Sequence, residues 1–457
     1  MRPLLLLRLA PWLLLPSCMV GPDYQPPQAE IEAAFKSAGF TAPAPDGSWW
    51  KLFGDAELSR LIKEIKTSNP SALAALARYE QVNAEIGITR SQGSPLVMGE
   101  AYANRKGDSS NSNFSAGTYD DYRAALDLSW EIDLWGRVRR QVNAAVAESE
   151  AAGYDADAIL LSLSGEAARA YFSLRSADVE IELLQETSKL RARAQRLMKA
   201  RSEAGQSSSL DYNRAVTEYE SVEAELQQLR AQRGRFENAI ATLVGTNASG
   251  FGIRPTGQRS NIPSIPSTVP SELLRRRPDI AAAERRLAAA SERRGVVIAS
   301  YLPRFSITGY GGVQSLRSSD LFDPSSAIWR LGPEVSVPVY QGLRLGDDKA
   351  KAEATYREAL ENYREVLLKA VQETEDSLLD SRLLAEASVS RRRGAASADR
   401  AAELSRKRYI GGVTDYFEVV ESDRTSLFEK RAALAVDLAR SLAATRLIEA
   451  LGGGWQR

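Results

Sequence analysis

Histidine is absent from all 457 residues. That removes the commonest general base and the commonest transition-metal ligand together. Cysteine occurs once, as Cys18, so a single chain can build neither a disulfide framework nor a thiolate metal site. Neither sign of charge is in excess: Lys plus Arg and Asp plus Glu each number 59. Nothing in the net charge therefore draws the chain to nucleic acid or to an acidic surface. Beyond the N-terminus no stretch approaches the run of about 18 apolar residues that a membrane-spanning helix needs. No nucleophile–base pair, phosphate-cradling glycine loop or metal-ligand cluster is legible, so the residues point to no enzyme, no cofactor, no metal and no catalytic residue.

What is present starts with MRPLLLLRLAPWLLLPSC, in which Arg2 and Arg8 accompany two leucine runs and Ser17 precedes Cys18. Residues 1–17 read as an export signal. The Leu-x-Ser-Cys ending resembles a lipobox, whose cysteine becomes the lipidated first residue of the mature protein. An ordinary signal peptide with an incidental cysteine is the alternative. Met19 is not the aspartate that would retain a lipoprotein in the inner membrane, and one lipidated cysteine accounts for there being only one.

The chain repeats itself. NPSALAALARYEQVNAEIG, from Asn69, matches RPDIAAAERRLAAASERRG, from Arg277, and Pro70, Gly87 and Pro95 each recur 208 positions later. Gly136 and Gly342 are 206 apart, and Gly205 and Gly412 are 207 apart. Landmarks in one order at nearly one spacing define a duplicated unit. Each half reads helix, strand, strand, long helix, break, returning helix. Asn69-Pro70 is a cap followed by proline at the first helical position. Strands are expected near 97–106 and 119–134, then an unbroken helix from Gly136 to about Ala204. Gly205 ends it, and one of Ser207, Ser208 and Ser209 caps the return. The short helix (roughly 24 residues) and the returning one (roughly 37) together nearly equal the long one (roughly 64–68), so two could lie end to end beside it. Leu160, Leu163, Ala167, Ala170, Leu174, Ala177, Ile181 and Leu184 mark a heptad seam, the signature of a left-handed coiled coil.

In YRAALDLSWEIDLW the even positions from Tyr122 to Leu134 are apolar, while Arg123, Asp127, Ser129, Glu131 and Asp133 alternate with them. RFSITGYGGVQ and IWRLGPEVSVPVY repeat the strand pair, with Trp329, Leu331, Val335, Val337 and Val339 on one face and Arg330, Glu334 and Ser336 on the other. Alternation alone fits a sheet covered by a helix as well as a membrane barrel. No amphipathic segment is left over as a cover, and the export signal adds weight to a transmembrane β-barrel, apolar outside and polar inside. Four strands cannot close alone, so closure needs several chains.

CMVGPDYQPP (18–27), WWKLFGDAELSRLI (49–62), VPSELLRRRPDIAAAERRLAAA (269–290) and RYIGGVTDYFEVV (408–420) resemble the TolC-like outer-membrane efflux proteins, in particular their NodT-type lipoprotein branch. The resemblance covers essentially the whole mature chain. It implies a mainly α protein with a membrane β-barrel: a homotrimer whose twelve strands form one barrel in the outer membrane, continuous with a helical tunnel through the periplasm. It implies a periplasmic adaptor (membrane fusion) protein and an inner-membrane efflux pump as partners, outer-membrane lipid as surroundings, and no nucleic acid. The chain is then a passive, gated exit duct. Its parts would be a signal peptide (1–17), a lipid-anchored segment and equatorial helix (18–68), a first repeat (69–245), an equatorial linker (246–277), a second repeat (278–450) and a tail (451–457).

The resemblance also assigns roles. The helix-break tips at Gly205, Ser207, Gly411, Gly412 and Val413 would receive the adaptor. Phe417 takes the place of an apolar constriction and Glu421 that of an acidic ring, where relatives often carry aspartate. Asp415, Tyr416 and Arg424 could supply latch contacts. By themselves these five residues fit ordinary coiled-coil charges and packed aromatics equally well. Asp127, Glu131 and Asp133 would line the pore, and Trp130 and Trp135 are candidates for an interfacial aromatic belt. Arg275, Arg276, Arg277 and Asp279 read as a cap and charge cluster at the collar. A periplasmic adaptor or scaffold also uses long hairpins and lipid anchors, but it needs no amphipathic strand pair in each repeat.

Overall fold

A computed structural model describes residues 19–27, 36, 48–109, 111, 117–258, 261–263 and 276–454. The export signal, Cys18, Arg275 and most of the proline-rich stretch SNIPSIPSTVP lie outside the described residues.

After a 3-10 turn (Trp49–Phe53) come α1 (Ala56–Ser68), α2 (Pro70–Ser91), β1 (Leu96–Gly107), β2 (Thr118–Ile132), α3 (Arg137–Glu203) and α4 (Ser209–Leu243). The second half supplies α5 (Pro278–Ala299), β3 (Arg304–Ser315), β4 (Ala327–Ser336), α6 (Arg344–Ile410) and α7 (Tyr416–Ala450). The helices α2, α3 and α4 contain 22, 67 and 35 residues, and so do α5, α6 and α7. The duplication seen in sequence is thus a duplication of backbone.

Two strand ends fall short of the alternating pattern. β4 stops at Ser336, so Val337 and Val339 are not strand residues; Pro338 follows, with no N–H to offer a ladder. β2 stops at Ile132, opposite Phe305 near the start of β3, and Asp133 lies beyond it.

The chain forms two compact units, each built from both halves. The first takes, among the described residues, those of 19–27, 78–153 and 282–364. Its centre is one antiparallel sheet in the order β1-β2-β3-β4. Pairing of β2 with β3, with Trp130 opposite Ile307, joins the hairpins of the two repeats. β1 and β4 are left as edges, and Pro333 within β4 is tolerated because an edge strand has one unpaired side.

The second unit takes, among the described residues, those of 36–77, 154–281 and 365–454. Its core is set by α1, whose Leu58, Leu61, Ile62 and Ile65 recur at helical spacing and are fully buried. They pack with Trp49, Trp50 and Phe53 against Tyr171, Phe172 and Leu174 of α3 and Ile240 of α4. Each such side chain contributes on the order of 1.5–3 kcal/mol by leaving water. Asp55 caps α1 through Glu57 N and Leu58 N (2.9 and 3.0 Å) and accepts from the Tyr171 hydroxyl (2.7 Å). Asn69 caps α2 through Ala72 N (3.0 Å) as the sequence predicts, while its amide reaches Leu243 O (2.8 Å). Of the seam on α3, Ala167, Leu174, Ala177 and Leu184 are buried.

Candidate functional site

The sheet has two chemically distinct faces. In register, Glu100 and Tyr102 of β1, Arg123 and Asp127 of β2, Tyr310 and Gln314 of β3 and Arg330 of β4 share one face. Arg123 pairs with Glu100 (3.1 Å) and Asp127 (2.9 Å) and lies over the Tyr310 ring (5.2 Å). Asp121 takes Lys106 and the Gln314 amide (2.8 Å). The other face carries Val97, Leu126, Trp329, Leu331 and Val335, exposed by 57, 59, 79, 65 and 57 %. An apolar patch of this size on one side of a sheet marks a surface made for something other than water. Among the described residues no helix is long and apolar enough to cross a membrane.

The three carboxylates assigned to the pore separate. Asp127 lies mid-strand on the polar face, beside Arg123. Glu131 receives both branches of Arg137 (2.9 Å each), the first residue of α3. Asp133 leaves the strand and caps α3, accepting from Val138 N (3.1 Å) and Arg139 N (3.0 Å). Its role is to start a helix, and the turn at Gly136 (φ +78°) aims that helix back at it. Trp130 and Trp135 donate their indole N–H groups to Gly93 O (2.9 Å) and Pro303 O (2.8 Å) at one end of the sheet.

The two helix breaks share one geometry. Gly205 (φ +68°) and Gly412 (φ +73°) adopt the left-handed conformation that side chains disfavour. Gly205 N and Gln206 N bond back to Ser202 O and Arg201 O (3.0 and 2.8 Å). Gly412 N and Val413 N bond to Tyr409 O and Arg408 O (3.1 and 2.9 Å), the same Schellman closure. Ser208 then caps α4 through Leu210 N (3.0 Å), with Ser207 reaching Asp211 (3.3 Å). Asp415 caps α7 through Glu418 N (3.1 Å). Ile410 and Val413 stand exposed at the second tip.

Helical spacing sorts the five gate candidates. Phe417, Glu421 and Arg424 recur at i, i+4 and i+7 on one exposed stripe of α7. Arg214 of α4 lies over the Phe417 ring (5.1 Å). Arg424 bridges Glu421 (3.2 Å) and Glu218 of α4 (2.7 Å). Glu218 is buried and also takes Arg191 of α3. Tyr416 sits on the opposite stripe with Val419 and Val420, buried against Met198 and Ala215. Its ring meets Tyr409 (5.7 Å), whose hydroxyl accepts from Arg201 (2.8 Å). Asp415 therefore caps its own helix, while Tyr416 packs α7 against α3, α4 and α6.

A groove of about 220 Å³ beside this stripe is lined by Leu190, Leu197, Met198, Ile410, Tyr416 and Val419. Burial, with Asp423 nearby, pushes the Tyr416 hydroxyl up to about 12. Burial also raises Asp423 despite the Arg406 guanidinium 3.0 Å away. Sequence reasoning missed Glu218, Arg191 and Asp423, because an acid or base on a polar-looking helix gives no local sign of what packs over it.

A second charged cluster borders a cavity of about 520 Å³ near the start of α5. Arg277 grips Asp279 (3.0 and 2.7 Å), Glu373 (2.7 Å) and Ala450 O (3.1 Å), the cap and charge cluster expected there. Glu449 pairs with Arg169 over Gly165. Burial raises its carboxyl to about 7 against the pull of Arg169.

A profile of the family described as outer membrane efflux protein matches residues 61–246 and again 269–453. Outer membrane protein OprJ of Pseudomonas aeruginosa is 32% identical, over 97% of this chain and 94% of its own length. The probable outer membrane lipoprotein SilC of Salmonella typhimurium is 26% identical over the full length of both. Among solved structures, the outer-membrane channel OprN superposes with a TM-score of 0.88 at 30% identity, covering 96% of this chain and all of that one.

Proposed function

We propose, from the premise that this chain belongs to the outer membrane efflux protein family, a reading of how it closes, docks and gates. The protein is an outer-membrane efflux channel, a conduit that performs no chemistry on what passes. The observation that carries the finer reading is the sheet: four strands, a greasy outer face and two free edges. Edge strands with an exposed apolar face are a liability unless another chain pairs with them and lipid covers the face. Three copies, β4 of each beside β1 of the next, would close a twelve-stranded barrel. Asp127 and Glu131 would then line a wet lumen whose charges are already paired within the chain.

Cys18 carries the lipid, and Met19 leaves the lipoprotein free for the outer membrane. The tips at Gly205, Ser207, Gly411, Gly412 and Val413 present exposed apolar and backbone groups to a periplasmic adaptor, which links the duct to an inner-membrane pump. Phe417 and Glu421 form rings at the periplasmic mouth. Arg424 tethers Glu421 to Glu218, so opening requires that this bridge be exchanged. Small molecules chosen by the pump are the cargo.

Native mass spectrometry of the detergent-extracted outer-membrane protein tests closure and anchoring together. Trimers with an acyl increment on each chain are expected. Monomers or dimers under mild extraction contradict the barrel, and unmodified chains contradict lipidation.

A further inference from the structure

The motif VGPDY, residues 20–24, follows Cys18 and Met19 in the sequence. In the first unit these residues form an extended strap whose side chains are mostly exposed. Its attachment runs instead through its backbone to one side chain, Arg140 on the first turns of α3, which is fully buried. A guanidinium has five N–H donors, and here each has an acceptor. Nε donates to Val20 O (2.9 Å); one terminal nitrogen donates to Pro22 O and Glu292 (3.1 Å each); the other donates to Gly21 O (3.1 Å) and Asp23 (3.2 Å). Two glycines let the strap lie flush. Gly21 has φ +98°, and a Cβ there would fall 2.8 Å from Gly295 Cα. A Cβ on Gly295 would fall 2.3 Å from Arg140 Cδ. Val20 N donates to Trp135 O (3.1 Å), Met19 packs over Gly136, and Tyr24 bonds Glu284.

We infer that Arg140, Gly295 and Glu292 form a slot that binds residues 20–23 of the chain's own N-terminus and so fixes where the lipid anchor emerges. Val20, which follows Cys18 by two residues in the sequence, is bonded to Trp135 at the β2–α3 junction, the periplasmic end of the strand. The acyl chains thus enter the leaflet beside the barrel wall instead of at the end of a loose tether. At residues 20–22 recognition is of carbonyls, so Val20 and Pro22 tolerate other side chains, whereas Gly21 does not. The role as anchor guide rests on the lipoprotein reading above; the slot itself does not.

The test uses the full-length protein in detergent with a nitroxide on Gln25→Cys. Intact mass reports separately whether Cys18 is acylated, so loss of the lipoprotein reading is seen independently of the strap. The slot predicts an immobilised spectrum. Arg140→Gln raises the mobile-to-immobile ratio by about tenfold or more, the factor that losing one charge-assisted hydrogen bond implies. Gly21→Ala, which lies on the strap and leaves the body of the fold untouched, does the same, and Val20→Ala does not. A mobile label in the unmutated slot, or an immobilised one in Gly21→Ala, overturns the proposal.

Discussion

The two halves of the molecule share a backbone and divide its chemistry. Helices of 22, 67 and 35 residues occur in both, and each tip closes on a left-handed glycine followed by a capped helix. At matched positions 207 apart the side chains differ. Phe417 replaces Leu210, Glu421 replaces Arg214, Arg424 replaces Thr217 and Glu449 replaces Thr242. The strap slot is also built once: Arg140, the fourth residue of α3, corresponds to Asp347, the fourth of α6, 207 positions later. Duplicated geometry thus makes the frame, and departures from the duplication fall at the proposed gate, the collar charge and the proposed anchor slot.

The largest effect should come from the carboxylate that ties the halves together. Glu218→Ala leaves buried Arg191 without its carboxylate, with only the residue-218 carbonyl to accept from it, and should cost about 3–5 kcal/mol. Thr425, its counterpart in α7, is exposed, and Thr425→Ala should stay within about 0.5 kcal/mol. Chemical denaturation of the two variants reads the contrast; equal losses would mean that the Glu218 cluster is not load-sharing between α3, α4 and α7.

Next in size is a pH effect confined to the second half. Glu449 rises from 4.5 to about 7 on folding, so the folded chain holds a proton that the unfolded chain releases. Its contribution is complete below about pH 4.5 and disappears as pH climbs through about 7, a span of about 3 kcal/mol. Stability should therefore be greater at pH 5 than at pH 8, and Glu449→Gln should flatten the difference. A pH slope that persists unchanged in that variant assigns the proton elsewhere.

The smallest effect has the opposite sign. Gly346 sits in open space within α6, so Gly346→Ala should stabilise by about 0.5–1 kcal/mol, visible as a raised melting temperature. A loss there would show that α6 receives an unseen neighbour.

Much of this was legible in the sequence for local reasons. Left-handed glycines, an Asn-Pro helix start and alternation in strands act within a few residues, so helix lengths, tips and strand pairs were placed to within a few positions. Asp133 misled because the alternation continues through Leu134, whereas the ladder ends at Ile132 opposite Phe305 and Asp133 turns away to cap α3; only the structure shows that. Glu218 and Arg140 were not legible, because each gains its meaning from segments far along the chain: Arg424 for the first, the strap for the second.

Single-channel recording in a planar bilayer tests the central claim most directly, that an open conduit is gated by residues unique to the second half. The wild-type protein should give cation-preferring steps. Glu421→Ala should lower that preference, and Arg214→Ala, which removes the opposite charge beside Phe417, should raise it. Absence of conductance in any condition, or a shift of both variants in the same direction, would contradict the account.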